Sequence, residues 1–332
     1  VSKLFLLPFA LLLCLPLGCS GGADANPTEN LGLTAGGPMP GFLERMPRAP
    51  FTTRYYARRH VTQLISKPGA PAQMLVYTER VWSDGQGGFR VEAEQLIQPS
   101  LPPAQHNLFL LLQTAREGFM YRVRDFRIQD LPTFLRGYSI RVVGSHLSVA
   151  GQPVERLEVT PRAGSGYHTL DVVPQTGLVL RCVQYDANAV EIGRVETLEY
   201  SANPDLSQVT LHQELPVQDL DLANTAAQLG YELREPTLVP DGFERTKSER
   251  VDLGGETWAR LSYTDGADQL FFLHRRTGGG LTMNDPLTAH SLRVFKVGPW
   301  TILDAKVNHH RFLAAGRQSK DQLQMMIESA LP

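Results

Sequence analysis

Cysteine is scarce: three in 332 residues. Cys14 and Cys19 lie in the apolar N-terminal stretch, so Cys182 is the one thiol in the body of the chain, and a disulfide framework is excluded. Cys182 alternates with Leu178 and Leu180 in an extended run, which suits a small buried hydrophobe better than a reactive thiol. A charge excess is also lacking. The formal net charge of −2 excludes the basic surplus that nucleic-acid binding needs. No apolar run approaches the ~20 residues that span a bilayer as a helix. Catalytic signatures are missing too. There is no Gly-x-Ser-x-Gly elbow, and Gly278-Gly279-Gly280 lacks the spacing of a phosphate loop. His309-His310 has no Cys, Asp or Glu at ligand spacing and reads as a solvated or half-buried pair. No enzyme, metal site or cofactor is expected.

What is present begins with a signal. Lys3 precedes a core of Leu, Phe and Ala, and Gly18 precedes Cys19. Residues 1–18 read as a secretion signal. Its end resembles the lipobox of bacterial lipoproteins, with Gly18 at the cleavage point and Cys19 carrying the lipid; an ordinary cleaved signal with an incidental Cys is the alternative. Residues 19–50, rich in Gly, Pro, Ala and Asn, read as a flexible tether. The expected protein is exported and held to a membrane by acyl chains, and the resemblance given below implies the periplasm of a Gram-negative-type bacterium.

The stretch Tyr167–Tyr200 is the element around which the first domain is organised. It reads as three antiparallel strands turning at Pro174-Gln175-Thr176-Gly177 and at Asp186-Ala187-Asn188-Ala189. Upstream, runs over 54–65, 73–82 and 89–97 are extended. Phe89, Val91 and Ala93 alternate with Arg90, Glu92 and Glu94, which predicts one covered and one solvated face. Further strands are expected over 119–128, 138–143, 147–149 and 156–159, with a short helix over 131–136. Nine to eleven strands with few helices predict a curled sheet or barrel.

One helix stands out. Residues 104–117 carry Leu108, Leu111, Leu112 and Ala115 at helical spacing, and Phe109 and Leu110 widen the apolar face, so burial on more than one side is expected. Leu108, Phe109, Leu111 and Leu112, with Phe119 and Tyr121 after them, are either ordinary core or the lid of an apolar cavity. Arg122 and Arg124, with Arg58, Arg59 and Arg127, are either plain surface charge or contacts for anionic lipid headgroups at a cavity mouth.

A polar connector over 204–218 leads to a smaller α+β domain over 219–332. Strands are expected over 245–251, 257–263, 269–274, 292–297 and 300–306, and a helix over 221–229. A final helix runs from Lys320 to Leu331, capped by Ser319 and Gln322, with Leu323, Met326, Ile327 and Ala330 as its stripe.

This order of elements resembles the MucB/RseB family of periplasmic regulators, whose first domain is shared with the lipoprotein carrier LolA. The residues carrying it are Val172–Arg181, the Ala150-Gly151-Gln152-Pro153 turn with Val154–Thr160, Tyr263-Thr264-Asp265-Gly266, and the last helix. The resemblance implies a mainly β (α+β) fold: a LolA-like antiparallel half-barrel over 51–203, closed by helices, then the smaller domain. It implies a non-enzymatic protein that binds or senses acyl-chain lipid or lipoprotein in the half-barrel. It also implies an inner-membrane anti-sigma factor as partner of the C-terminal domain. A protein-interaction scaffold or anti-sigma regulator with a filled core and no lipid ligand is the alternative.

Overall fold

The computed structural model describes residues 40–65, 72–114, 124–162, 166–212, 218–253, 256–277, 292–297, 300–307 and 309–331. The chain divides into two compact units near residue 215.

The first unit is an eight-stranded, wholly antiparallel sheet in the order β3-β2-β1-β8-β7-β6-β5-β4. Its strands are β1 (Arg54–Ile65), β2 (Gln73–Asp84), β3 (Phe89–Gln98), β4 (Tyr138–Val149), β5 (Gln152–Pro161), β6 (Tyr167–Val172), β7 (Val179–Tyr185) and β8 (Glu191–Ser201). Two meanders, β1–β3 and β4–β8, are joined where the first strand pairs with the last, Tyr56 opposite Ser201. Tyr55, Val81 and Val91 share one core cluster with Val154 and Leu180. Strands far apart in the sheet order thus meet across it, so the sheet is curled. It does not close, because β3 and β4 remain its two edges. Nine to eleven strands were expected, and the described residues hold eight in this sheet. Residues 124–128 are irregular rather than a strand, and 119–123 lie outside the described residues.

The turns follow their residues. Ala150 and Gly151, both at positive φ, make a two-residue hairpin turn between β4 and β5. Gly177 takes φ +79, and a Cβ there would meet the Met46 nitrogen at 2.8 Å. Its freedom is used both for the turn and for that close approach.

Short helices complete this unit: α1 (Ala49–Thr52), α2 (Pro103–Thr114) and α3 (Leu131–Gly137). Asp130 caps α3 by accepting from the Thr133 amide. Residues 40–50, expected as the end of the tether, are packed. Phe42, Leu43, Met46 and Ala49 are all buried, because this apolar quartet has a wall to cover.

The second unit is a seven-stranded antiparallel sheet in the order β13-β14-β15-β12-β11-β10-β9. It comprises β9 (Gln218–Asp219), β10 (Glu244–Leu253), β11 (Glu256–Thr264), β12 (Gln269–Arg276), β13 (Leu292–Val297), β14 (Trp300–Val307) and β15 (His310–Gly316). The helix expected over 221–229 is a 3-10 turn (Leu222–Asn224) followed by α4 (Thr225–Leu229), stopped by Gly230 at φ +77. Helix α5 (Lys320–Glu328) carries the expected capping box of Ser319 and Gln322. Its stripe of Leu323, Met326, Ile327 and Ala330 is buried against Leu261, Phe272, Leu303 and Phe312 of the sheet. No helix among the described residues is long and apolar enough to cross a membrane.

Candidate binding site in the curled sheet

The strand period of two sets what faces the inside. On β1 the row is Tyr55, Ala57, Arg59 and Val61; on β2 it is Leu75, Tyr77, Glu79 and Val81, and all eight are buried. One cation and one anion are thereby carried into an otherwise apolar interior. Arg124 and Asp125 join them from the segment before α3.

The four charges form a closed cluster. Arg124 reaches Glu79 with Nη1 to Oε2 at 2.8 Å and Nη2 to Oε1 at 2.7 Å. Arg59 donates from Nη1 to Asp125 at 2.6 Å and from Nη2 to Glu79. Arg124 also donates to Asp125 and, at 2.8 Å, to the Tyr77 hydroxyl. Burial raises the pKa of Glu79, but Arg124 and Arg59 outweigh it and hold the carboxyl well below the usual carboxylate range. Burial pushes the Tyr77 phenol upward, so it stays a neutral hydrogen-bonding group.

Beside the cluster lies a cavity of about 50 Å³, lined among others by Met46, Pro50, Tyr55, Arg59, Leu180 and Cys182. It has room for a few waters, whereas ligand pockets run to about 300–1,000 Å³. The lid reading of residues 104–117 would need a cavity beneath that helix, and no α2 residue lines this one. Cys182 is partly exposed rather than fully buried. The segment 40–52 closes the cavity on one side. It is held there by Arg45 donating to the Pro174 carbonyl, by Ser83 donating to the Pro50 carbonyl, and by the Arg127 guanidinium 4.1 Å from the Phe51 ring.

The expected site residues separate. Phe109 packs edge-on against Tyr77, with ring centroids 5.7 Å apart. Leu108 and Leu111 are 51% and 66% exposed, so the expected burial of this helix on more than one side is not seen among its described side chains. The side chain of Leu112, and Gly18, Cys19, Phe119, Tyr121 and Arg122, lie outside the described residues. Arg124 is 6% exposed and lies in the ion cluster, because two carboxylates draw it inward. Arg58, the neighbour of Arg59, pairs with Glu94 and Glu199 on the outer face. Sequence reading missed Glu79 and Asp125 as parts of an interior site. For Glu79 the signal was available, because it shares the parity of Tyr77 and Val81.

The outer face is polar and ordered. Arg156, Asp171, Arg181 and Glu196 stand opposite one another across β5, β6, β7 and β8. Asp171 is 1% exposed and accepts two bonds from Arg156, at 2.6 and 2.8 Å.

No protein-family model matches the sequence, and no curated protein matches it. Solved structures do. A structure of MucB in complex with MucA(peri) aligns with a TM-score of 0.50 at 16% identity, covering 87% of this chain and 96% of that one. The Pseudomonas aeruginosa MucA/MucB complex gives 0.48 at 17% identity over 87% and 96%. MucB alone gives 0.49 at 15% identity over 87% and 95%. The alignment to the first complex spans most of both chains, and the mainly antiparallel β architecture agrees with it. The chain has the fold of MucB.

Proposed function

We propose that this protein is an exported, non-enzymatic binding protein that takes a protein partner at the membrane, as an envelope-stress regulator of the MucB kind. The observation that carries the reading is the likeness to a MucB solved with MucA(peri), over 87% of this chain. The interior of the curled sheet supports it. A neutralised ion cluster lies in that interior, and the cavity beside it, of about 50 Å³, is too small for an acyl chain. In this reading the half-barrel domain ends near residue 203, residues 204–218 connect, and residues 219–332 hold an inner-membrane anti-sigma factor. Residues 1–18 are the signal, and Cys19 carries the lipid anchor.

A second reading keeps an acyl-chain ligand. It is favoured by the exposed Leu108 and Leu111 on α2, a helix with no charged residue. The test is titration of the chain from Ser20 to Pro332 with the purified periplasmic segment of the cell's own anti-sigma factor, and separately with phospholipid. A stoichiometric protein complex supports the first reading. Uptake of phospholipid with no protein complex replaces it with the second.

A further inference from the structure

The second unit contains a histidine relay that the partner-binding reading does not use. His274 on β12 is fully buried, and His310, at the start of β15, is half-buried. Their ring centroids are 5.0 Å apart and nearly parallel. Phe312 stacks on His274 at 4.9 Å and lies 6.1 Å from His310, and Tyr231 packs edge-on against His274 at 5.3 Å. The two imidazoles touch through His274 Nε2 and His310 Nδ1 at 2.8 Å.

A third contact fixes the protons. The backbone N–H of Arg234 donates to His274 Nδ1 at 3.2 Å. That nitrogen is therefore an acceptor, and the neutral ring carries its hydrogen on Nε2. Nε2–H then donates to His310 Nδ1, which places the hydrogen of His310 on its own Nε2. The chain runs in one direction: Arg234 N–H to His274, then His274 N–H to His310.

A proton added to His310 enters at Nδ1 and faces the Nε2–H of His274. Two donors cannot share a 2.8 Å contact. Either the rings part, or His274 moves its hydrogen to Nδ1 and the Arg234 amide loses its acceptor. We propose that this relay is an acid-operated switch, in which protonation of His310 loosens the connection between α4 and β10 where it crosses β12 at Arg234.

Burial, with His310 and Arg234 adding to it, pushes His274 down to about 3, so His274 is not the first group to take the proton. His310 is also lowered, by burial first and then by the cations facing it: Arg234 from the connection, Arg276 from β12 and His309 from the turn before β15. Arg275 and Arg311 are turned to Trp258, where they pair with Glu256 and Asp304.

The experiment is amide hydrogen exchange on the chain from Ser20 to Pro332 between pH 7.5 and 5, corrected for the intrinsic rate. The Arg234 amide is expected to lose at least tenfold more protection at the acid end than the Leu273 and Leu313 amides of the ladder. His310→Phe, with His310→Gln as a second variant, is expected to remove the pH response. Protection at Arg234 that does not change with pH overturns the proposal. A response that survives in either folded variant, or a loss shared equally by Leu273 and Leu313, overturns it as well.

Discussion

Arg124 grips Glu79 with both terminal nitrogens, inside a sheet whose neighbouring side chains are apolar. Removing one partner strands the other. Among the described residues, Glu79→Ala leaves Arg59 with Asp125 and leaves Arg124 with Asp125 and Tyr77. It is expected to cost about 3–5 kcal/mol, read by urea unfolding. The double change Glu79→Leu with Arg124→Leu is expected to cost less than the sum of the single changes, because it removes both desolvated charges and leaves the Arg59–Asp125 pair in place.

His274 adds an acid-linked loss of stability to the second unit. Its folded-state pKa, about 3, lies below the unfolded value of 6.5. The unfolded chain therefore binds more protons, and stability falls as pH drops below the unfolded value. This single group contributes a slope of about 1.4 kcal/mol per pH unit until the folded value is reached. Unfolding followed from pH 7.5 to 4.5 is expected to show that fall, and His274→Phe to flatten it. Glu79 adds a later loss in the first unit. Its folded value is depressed, so its contribution is full above its unfolded value of 4.5 and is lost as pH falls through the folded one.

Two glycines of similar φ separate strain from crowding. Gly151 is at φ +76 with nothing within 4 Å of a built Cβ, and Gly177 is at φ +79 with the Met46 nitrogen at 2.8 Å. Gly151→Ala is expected to cost about 1 kcal/mol, the left-handed penalty alone. Gly177→Ala is expected to cost more, because the 40–52 segment must also shift. Equal losses would show that this segment is loosely held.

Helix α2 separates folding from binding. Leu111 is 66% exposed, so Leu111→Asp is expected to change stability by no more than about 0.5 kcal/mol. Phe109, against Tyr77, is expected to be costly to truncate. A folded Leu111→Asp variant that loses phospholipid uptake would favour the acyl-chain reading.

Much of the fold was legible because strands with one covered face announce themselves. The alternation at Phe89–Glu94, the turns at Gly177 and Gly266, and the Ser319–Gln322 box all reappear in the structure. Strand β15 was missed because Arg311–Gly316 are all buried, which removes the period of two. The ion cluster was missed for a different reason. Arg59 reads as one of several cations and Glu79 as one of several anions, although parity places them beside Tyr55 and Tyr77. Asp125 enters from irregular chain, where no period exists to place it. Likewise His274 and His310 are 36 residues apart, and strand pairing alone brings their rings together.

In the proposed function the chain binds a protein partner rather than an acyl chain. The most direct measurement is calorimetric titration of the chain from Ser20 to Pro332 with the periplasmic segment of the cell's anti-sigma factor, in detergent-free buffer. The account predicts a saturable complex of fixed stoichiometry, with no phospholipid needed for it to form. Absence of heat and of complex at high micromolar concentration, together with stoichiometric phospholipid uptake by the same preparation, would contradict it.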